Sequence, residues 1–147
     1  MKFYNYDIVF QEIPDEVTLA VNITNCPNHC PGCHSPHLWE DTGIPLTEEV
    51  MDGLMERYGN QITCFCFMGG DGQMASLERL AAHLRRNYPV KIAWYSGQDE
   101  LPKHLELFDF VKTGPYIRER GGLKSPGTNQ RLYRIEGENQ KIIMRFV

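Results

Sequence analysis

This 147-residue sequence predicts an α/β fold built on a mainly parallel sheet, and three observations predict it. Short apolar runs that end in glycine or polar turns recur through the middle of the chain, as buried strands do. Segments with helical apolar spacing lie between them. From about residue 16 to 112 the order is strand, loop, helix, strand, helix, strand, helix, strand, which is the alternation that builds a parallel sheet. Further β segments precede and follow this core, so N-terminal and C-terminal β additions are expected. The length suits a single domain over 1–147.

Each element has its own signal. "DIVFQEIPDEVTLAVNIT" reads as two strands, about 6–12 and 16–23, around a Pro14-Asp15 turn. "LTEEVMDGLMERYG" reads as a helix with Thr47 as its cap, Glu48 and Glu49 at its positive end and Gly59 at its close. Val50, Met51, Leu54, Met55 and Tyr58 form its apolar face. "QITCFCFMGGDG" is a buried strand running into glycines. "QMASLERLAAHLRRNYP" is the next helix, with Leu77, Leu80, Ala81 and Leu84 on one face and Pro89 after it. "VKIAWYSG" and "FDFVKTG" are strands, with a short helix expected near 99–106 between them. Residues 115–130 read as a long polar loop, and "RLYRIEGENQKIIMRFV" as a hairpin turning at Gly137-Glu138-Asn139.

Composition excludes several classes. A net charge of −4 argues against a general nucleic-acid binder, although Arg118, Arg120, Lys124, Arg131 and Arg134 cluster in sequence. No apolar run is long enough for a membrane span or a signal-peptide core, so the expected compartment is the cytoplasm. There clustered thiols point to metal binding or catalysis, and the odd count of five cysteines disfavours a disulfide framework.

The chemistry concentrates in "NCPNHCPGCHSPHLWE", where Cys26, Cys30 and Cys33 fall within eight residues. Pro27, Pro31 and Gly32 favour a turning loop, compact enough for three thiolates to face one centre. An ordinary four-iron cluster takes four cysteines, so three would leave one iron open to a small molecule. The same thiolates with His29, His34 or His37 would also suit zinc. Three unconnected buried thiols fit poorly with two prolines and a glycine. A ferredoxin lacks a good fourth ligand, because Cys64 and Cys66 sit inside a predicted strand. With Met68 they share a strand face, so they are expected to pack, and one cluster is expected.

Other motifs end the neighbouring strands. In "MGGDG", Gly69 and Gly70 let backbone approach a ligand and Asp71 offers a carboxylate, though such a turn is more often only a turn. In "WYSG", Tyr95 and Ser96 are candidates to contact a ligand, and packing of Trp94 and Tyr95 is an equal alternative. "SPGTNQR" reads as an ordered loop in which Asn129 and Gln130 satisfy backbone groups. Ligands bind at the C-terminal edge of parallel strands, so these motifs should converge on one rim.

C-x3-C-x2-C after the first core strand resembles the radical S-adenosylmethionine (radical SAM) family. "CPNHCPGCHSPHLW" is similar to its small members that activate glycyl radical enzymes, above all the activases of anaerobic ribonucleoside-triphosphate reductase, over about residues 17–131. The "CPGC" form, with Gly32 where many members carry an aromatic residue, and "SPGTNQR" favour that subfamily. Gly72 stands where a proline usually follows the acid, so the turn is expected to be looser.

The resemblance implies a partial, open (β/α) barrel of the radical SAM type, since a six-unit barrel needs more chain. It implies a [4Fe–4S] cluster on Cys26, Cys30 and Cys33, which act as the catalytic centre. S-adenosyl-L-methionine would chelate the open iron, near Gly32, Cys33, His34, Gly69, Gly70, Asp71, Tyr95 and Ser96. Its reductive cleavage would give a 5′-deoxyadenosyl radical that takes hydrogen from a glycine of the large reductase subunit. An open side of the sheet would admit that glycine loop. Flavodoxin or a ferredoxin would supply electrons, and a homodimer is a further expectation. Two alternatives stand beside this reading: a small-molecule radical SAM enzyme such as a deazapurine-forming synthase, and a non-catalytic zinc-binding module.

Overall fold

Four parallel strands form the centre of the sheet. β2 (Thr18–Ile23), β4 (Cys64–Met68), β5 (Lys91–Tyr95) and β6 (Phe110–Thr113) run side by side in that order. β1 (Lys2–Val9) pairs antiparallel with β2, and the two-residue β3 (Ile44–Pro45) pairs antiparallel with β1. At the far side β7 (Arg131–Glu136) and β8 (Gln140–Met144) add two antiparallel strands. The order among the described residues is β3-β1-β2-β4-β5-β6-β7-β8. The structure is a computed structural model that describes residues 1–28, 38, 40–136 and 140–144, the last segment by its backbone.

α1 (Glu48–Tyr58) and α2 (Met74–Asn87) cross between the parallel strands and share one apolar core with them. α1 starts where Thr47 Oγ1 accepts from Val50 N at 3.2 Å and closes where Gly59 N donates to Met55 O at 2.8 Å. Its buried residues are Met51, Leu54 and Met55, and those of α2 are Leu77, Leu80, Ala81 and Leu84, as their spacing predicts. Between them and the sheet lie Leu19, Val21 and Ile23 of β2, Phe65 and Phe67 of β4, and Ile92 and Trp94 of β5. Alternation sends the intervening residues to the helix-free face.

That face has its own apolar cluster of Ile13, Cys64, Cys66, Ala93, Phe110 and Leu132, with Met68, Tyr95 and Leu123 packed against it. It explains where the first strand departs from the sequence reading. β1 is an eight-residue strand that begins at Lys2 and stops at Val9, rather than running on to residue 12. Ile13 instead turns over the helix-free face and is fully buried there. Bonds across the cover fix it: Tyr95 Oη donates to the Glu12 carbonyl, and Lys124 Nζ donates to Gln11 Oε1 at 2.8 Å. Lys91 Nζ meets Glu16 Oε2 at 3.0 Å. Ile13 and Leu123 thus cover part of the helix-free face, because its apolar side chains bury against them.

Two other differences are local. The helix expected near 99–106 is a single 3-10 turn, Leu105–Leu107, since Pro102 lacks the amide a longer helix would use. The predicted hairpin residues Gly137, Glu138 and Asn139 lie outside the described residues, and the β7–β8 ladder runs from Glu136↔Gln140 to Leu132↔Met144.

Candidate metal centre

The C-terminal ends of β2, β4, β5 and β6 form one rim. The chain leaves β2 through Asn25, in the left-handed region at φ 59°, and reaches Cys26. Backbone bonds close the base of the cysteine loop: Asn25 N donates to Glu40 O at 2.9 Å and Cys26 N to Leu38 O at 3.0 Å. Cys26 is half-buried. Cys30, Cys33, Gly32 and His34, with the alternative zinc ligands His29 and His37, lie outside the described residues.

β4 ends in the glycine–acid turn. Gly69 and Gly70 have φ of 111° and 94°, a backbone that side-chain-bearing residues rarely adopt. Trp94 Nε1 donates to Gly69 O at 2.8 Å, and Gly69 N donates to Tyr95 O at 3.0 Å, so the turn is bolted to β5. The Pro27 ring lies against Gly72, where a Cβ would stand 3.5 Å from Pro27 Cγ. The turn therefore abuts the cysteine loop directly.

Asp71 is the hub of this contact. Asn28 Nδ2 donates to its Oδ2 at 2.7 Å, Gly97 N donates to the same oxygen at 2.9 Å, and Ser96 Oγ donates to Oδ1. Gln98 Nε2 donates to Asn28 Oδ1, and Gln98 N donates to Ser96 Oγ at 3.0 Å. A carboxylate offers about four acceptor positions, and the protein fills three of them here. Asn28 Nδ2 also stands 3.6 Å from Cys26 Sγ, within reach of an N–H···S bond. The start of the cysteine loop at Cys26, Pro27 and Asn28, the glycine–acid turn and the end of β5 are thus connected to one another.

Of the predicted site residues, the structure brings together Cys26, Gly69, Gly70, Asp71 and Ser96 on this rim. Tyr95 points the other way: it packs, partly buried, beside Cys66 on the helix-free face, and desolvation raises its phenol pKa first of all, followed by the nearby Cys66. The 115–130 loop closes the rim at β6, where Gln130 Nε2 donates to Gly114 O at 3.4 Å and Asn129 Nδ2 to Pro115 O at 3.0 Å. Those amides satisfy backbone carbonyls, the simpler of their two readings. Asn28 and Gln98 were not singled out from sequence, because their partners lie 43 and 70 residues away, and Trp94 was read as packing without its bond to Gly69, 25 residues away.

Cys64 and Cys66 are fully buried and lie level with Thr18 and Ala20, toward the start of β2 and away from the rim. Burial, then the Glu16 charge, pushes the Cys64 thiol up to about 12. Burial, then Cys64, raises Cys66 well above the ordinary value. Both thiols are therefore held in the protonated form in the metal-free protein, and their place inside the sheet, away from Cys26 and the rim, fits packing.

Residues 16–134 match a family model described as a 4Fe-4S single cluster domain. The chain belongs to this 4Fe-4S single cluster domain family. It is accordingly an iron–sulfur protein, and the match spans the four parallel strands, both helices and the whole rim. No curated protein matches the chain, and no solved structure matches it. The donor set fits a cluster: Cys26 is a half-buried thiol at the rim with a hydrogen-bond donor on its sulfur, and two more cysteines follow within seven residues. Among the described residues no helix is long and apolar enough to cross a membrane.

Proposed function

We propose that this iron–sulfur protein is a radical SAM activase that places a glycyl radical on the large subunit of anaerobic ribonucleoside-triphosphate reductase. The observation that carries the reading is the 2.7 Å bond from Asn28 to Asp71, which joins the C-x3-C-x2-C loop to the Gly-Gly-Asp turn across adjacent parallel strands. The two motifs that together mark the family's cofactor site are held as one piece. In this reading the central parallel strands are the partial (β/α) barrel of the radical SAM type.

Cys26, Cys30 and Cys33 would hold the cluster. When bound, it supplies the electron that cleaves S-adenosylmethionine to methionine and a 5′-deoxyadenosyl radical. Gly69 and Gly70 let the turn's backbone come close to the methionine end of that cofactor. Asp71 keeps about one acceptor position for its ammonium group, and Ser96 holds the carboxylate in place from below. Tyr95 packs the helix-free face instead. With part of that face covered by Ile13 and Leu123, the partner's glycine loop reaches the site from the rim. An external carrier such as flavodoxin or a ferredoxin provides the electron.

Anaerobic reconstitution with iron and sulfide, followed by electron paramagnetic resonance of the reduced protein, tests this. A four-iron signal that changes on adding S-adenosylmethionine, and a glycyl radical that appears only with the reductase subunit, is the expected result. Turnover of a small substrate by this chain alone would overturn the activase reading. Tightly held zinc without iron would overturn the cluster.

A further inference from the structure

We propose that Asn28 is a positioning residue for the cluster. Its side-chain amide hooks the cysteine loop onto the glycine–acid turn and donates to the Cys26 sulfur, so it sets the reduction potential of the group bound there.

The amide is committed on every side. One N–H points at Asp71 Oδ2, 2.7 Å from Nδ2, and the other is directed at Cys26 Sγ, 3.6 Å away. The amide oxygen accepts from Gln98 Nε2. An asparagine amide has two donors and one carbonyl acceptor, so no group is idle. The pocket is built for it: any Cβ on Gly97 would collide with Asn28 Nδ2. Asn28 follows Cys26 by two residues, so it moves with the loop whose sulfur it contacts. The negative charge of Asp71 anchors the nitrogen and fixes the direction of the second N–H. A hydrogen bond to sulfur stabilises the more negative, reduced state and raises the potential. Losing it should lower the potential.

The inference rests on Cys26 being a cluster ligand, and not on the activase reading. The test therefore uses no S-adenosylmethionine. Wild type, Asn28→Leu and Gly97→Ala are reconstituted anaerobically. Iron and sulfide are counted, and the cluster is titrated with a reductant under electron paramagnetic resonance. Leucine keeps the shape of asparagine and removes both donors. Alanine at 97 displaces the amide and leaves residue 28 intact. The expected result is a shift of the reduction equilibrium on the order of tenfold, about 59 mV more negative for one electron, in Asn28→Leu. Gly97→Ala should move in the same direction. Loss of the cluster from Asn28→Leu with a wild-type circular dichroism spectrum would equally support the anchoring. A wild-type titration curve and full loading in Asn28→Leu would overturn the proposal. If Asn28→Leu does not fold, a wild-type curve in Gly97→Ala overturns it. A wild-type chain that takes up no iron and sulfide would instead overturn the ligation beneath it.

Discussion

Replacing Asp71 by alanine removes the hub of the rim, and the structure sets the size of the loss. Three donors lose their acceptor: Asn28 Nδ2, Gly97 N and Ser96 Oγ. They are not equal. Ser96 is fully buried, so its hydroxyl cannot turn to water and carries a desolvation cost of about 1–3 kcal/mol. Asn28 and Gly97 are part-exposed, and water replaces much of what they lose, leaving roughly 0.5–1 kcal/mol each. Together the change should destabilise the metal-free protein by about 3 kcal/mol. For a domain of this size that lowers the melting temperature by ~6–12 °C. Thermal melting followed by circular dichroism, under reducing conditions at neutral pH, measures it. Asp71→Asn keeps one acceptor oxygen and should fall between alanine and wild type. A melting curve for Asp71→Ala that overlies wild type would refute the reasoning, because it would mean the three bonds stabilise nothing.

Other expectations separate the rim from the sheet interior. On the proposed function, alanine at any one of Cys26, Cys30 or Cys33 should abolish S-adenosylmethionine cleavage, read as methionine release, while the apo protein melts as before. Cys64→Ser should retain the cluster by iron and sulfide count. In the native apo protein Cys64 and Cys66 should resist alkylation until the sheet opens, because both are fully buried and burial raises both thiols, that of Cys64 to about 12. Between the helices, hydrogen bonds from Tyr88 first and His83 second hold the Asp52 carboxyl below its usual value. The unfolded chain then binds the proton first, so this stabilisation is complete above the ordinary carboxylate value of about 4 and fades as pH falls through the folded one. Urea midpoints should therefore decline less steeply into acid for Asp52→Asn than for wild type.

How much of this was legible in the sequence depends on how far apart the deciding residues lie. The helix faces were legible because each is written within a few turns: Met51, Leu54 and Met55 in α1, and Leu77, Leu80, Ala81 and Leu84 in α2. The shared face of Cys64, Cys66 and Met68 follows from alternation, and all three pack in one cluster. The same alternation separates Tyr95 from Ser96: adjacent strand positions face opposite ways, so one meets Glu12 and the other Asp71. The end of β1 was not legible. "IVFQEI" is rich enough in β-branched and aromatic residues to read as a continuing strand, and the apolar face it must cover draws Ile13 off the ladder. The hub at Asp71 was half legible. The turn announces itself by its glycines, but the carboxylate's partners come from 25 to 43 residues away. Asn28 shows why such residues hide. Within "CPNHC" the ligand pattern draws attention to the cysteines, and a short amide between them looks like solvent-facing filler. Its role depends on Gly97 lacking a side chain. A residue defined by the space another residue leaves free has no signature of its own in one sequence, and only the fold that brings β2 beside β4 and β5 supplies it.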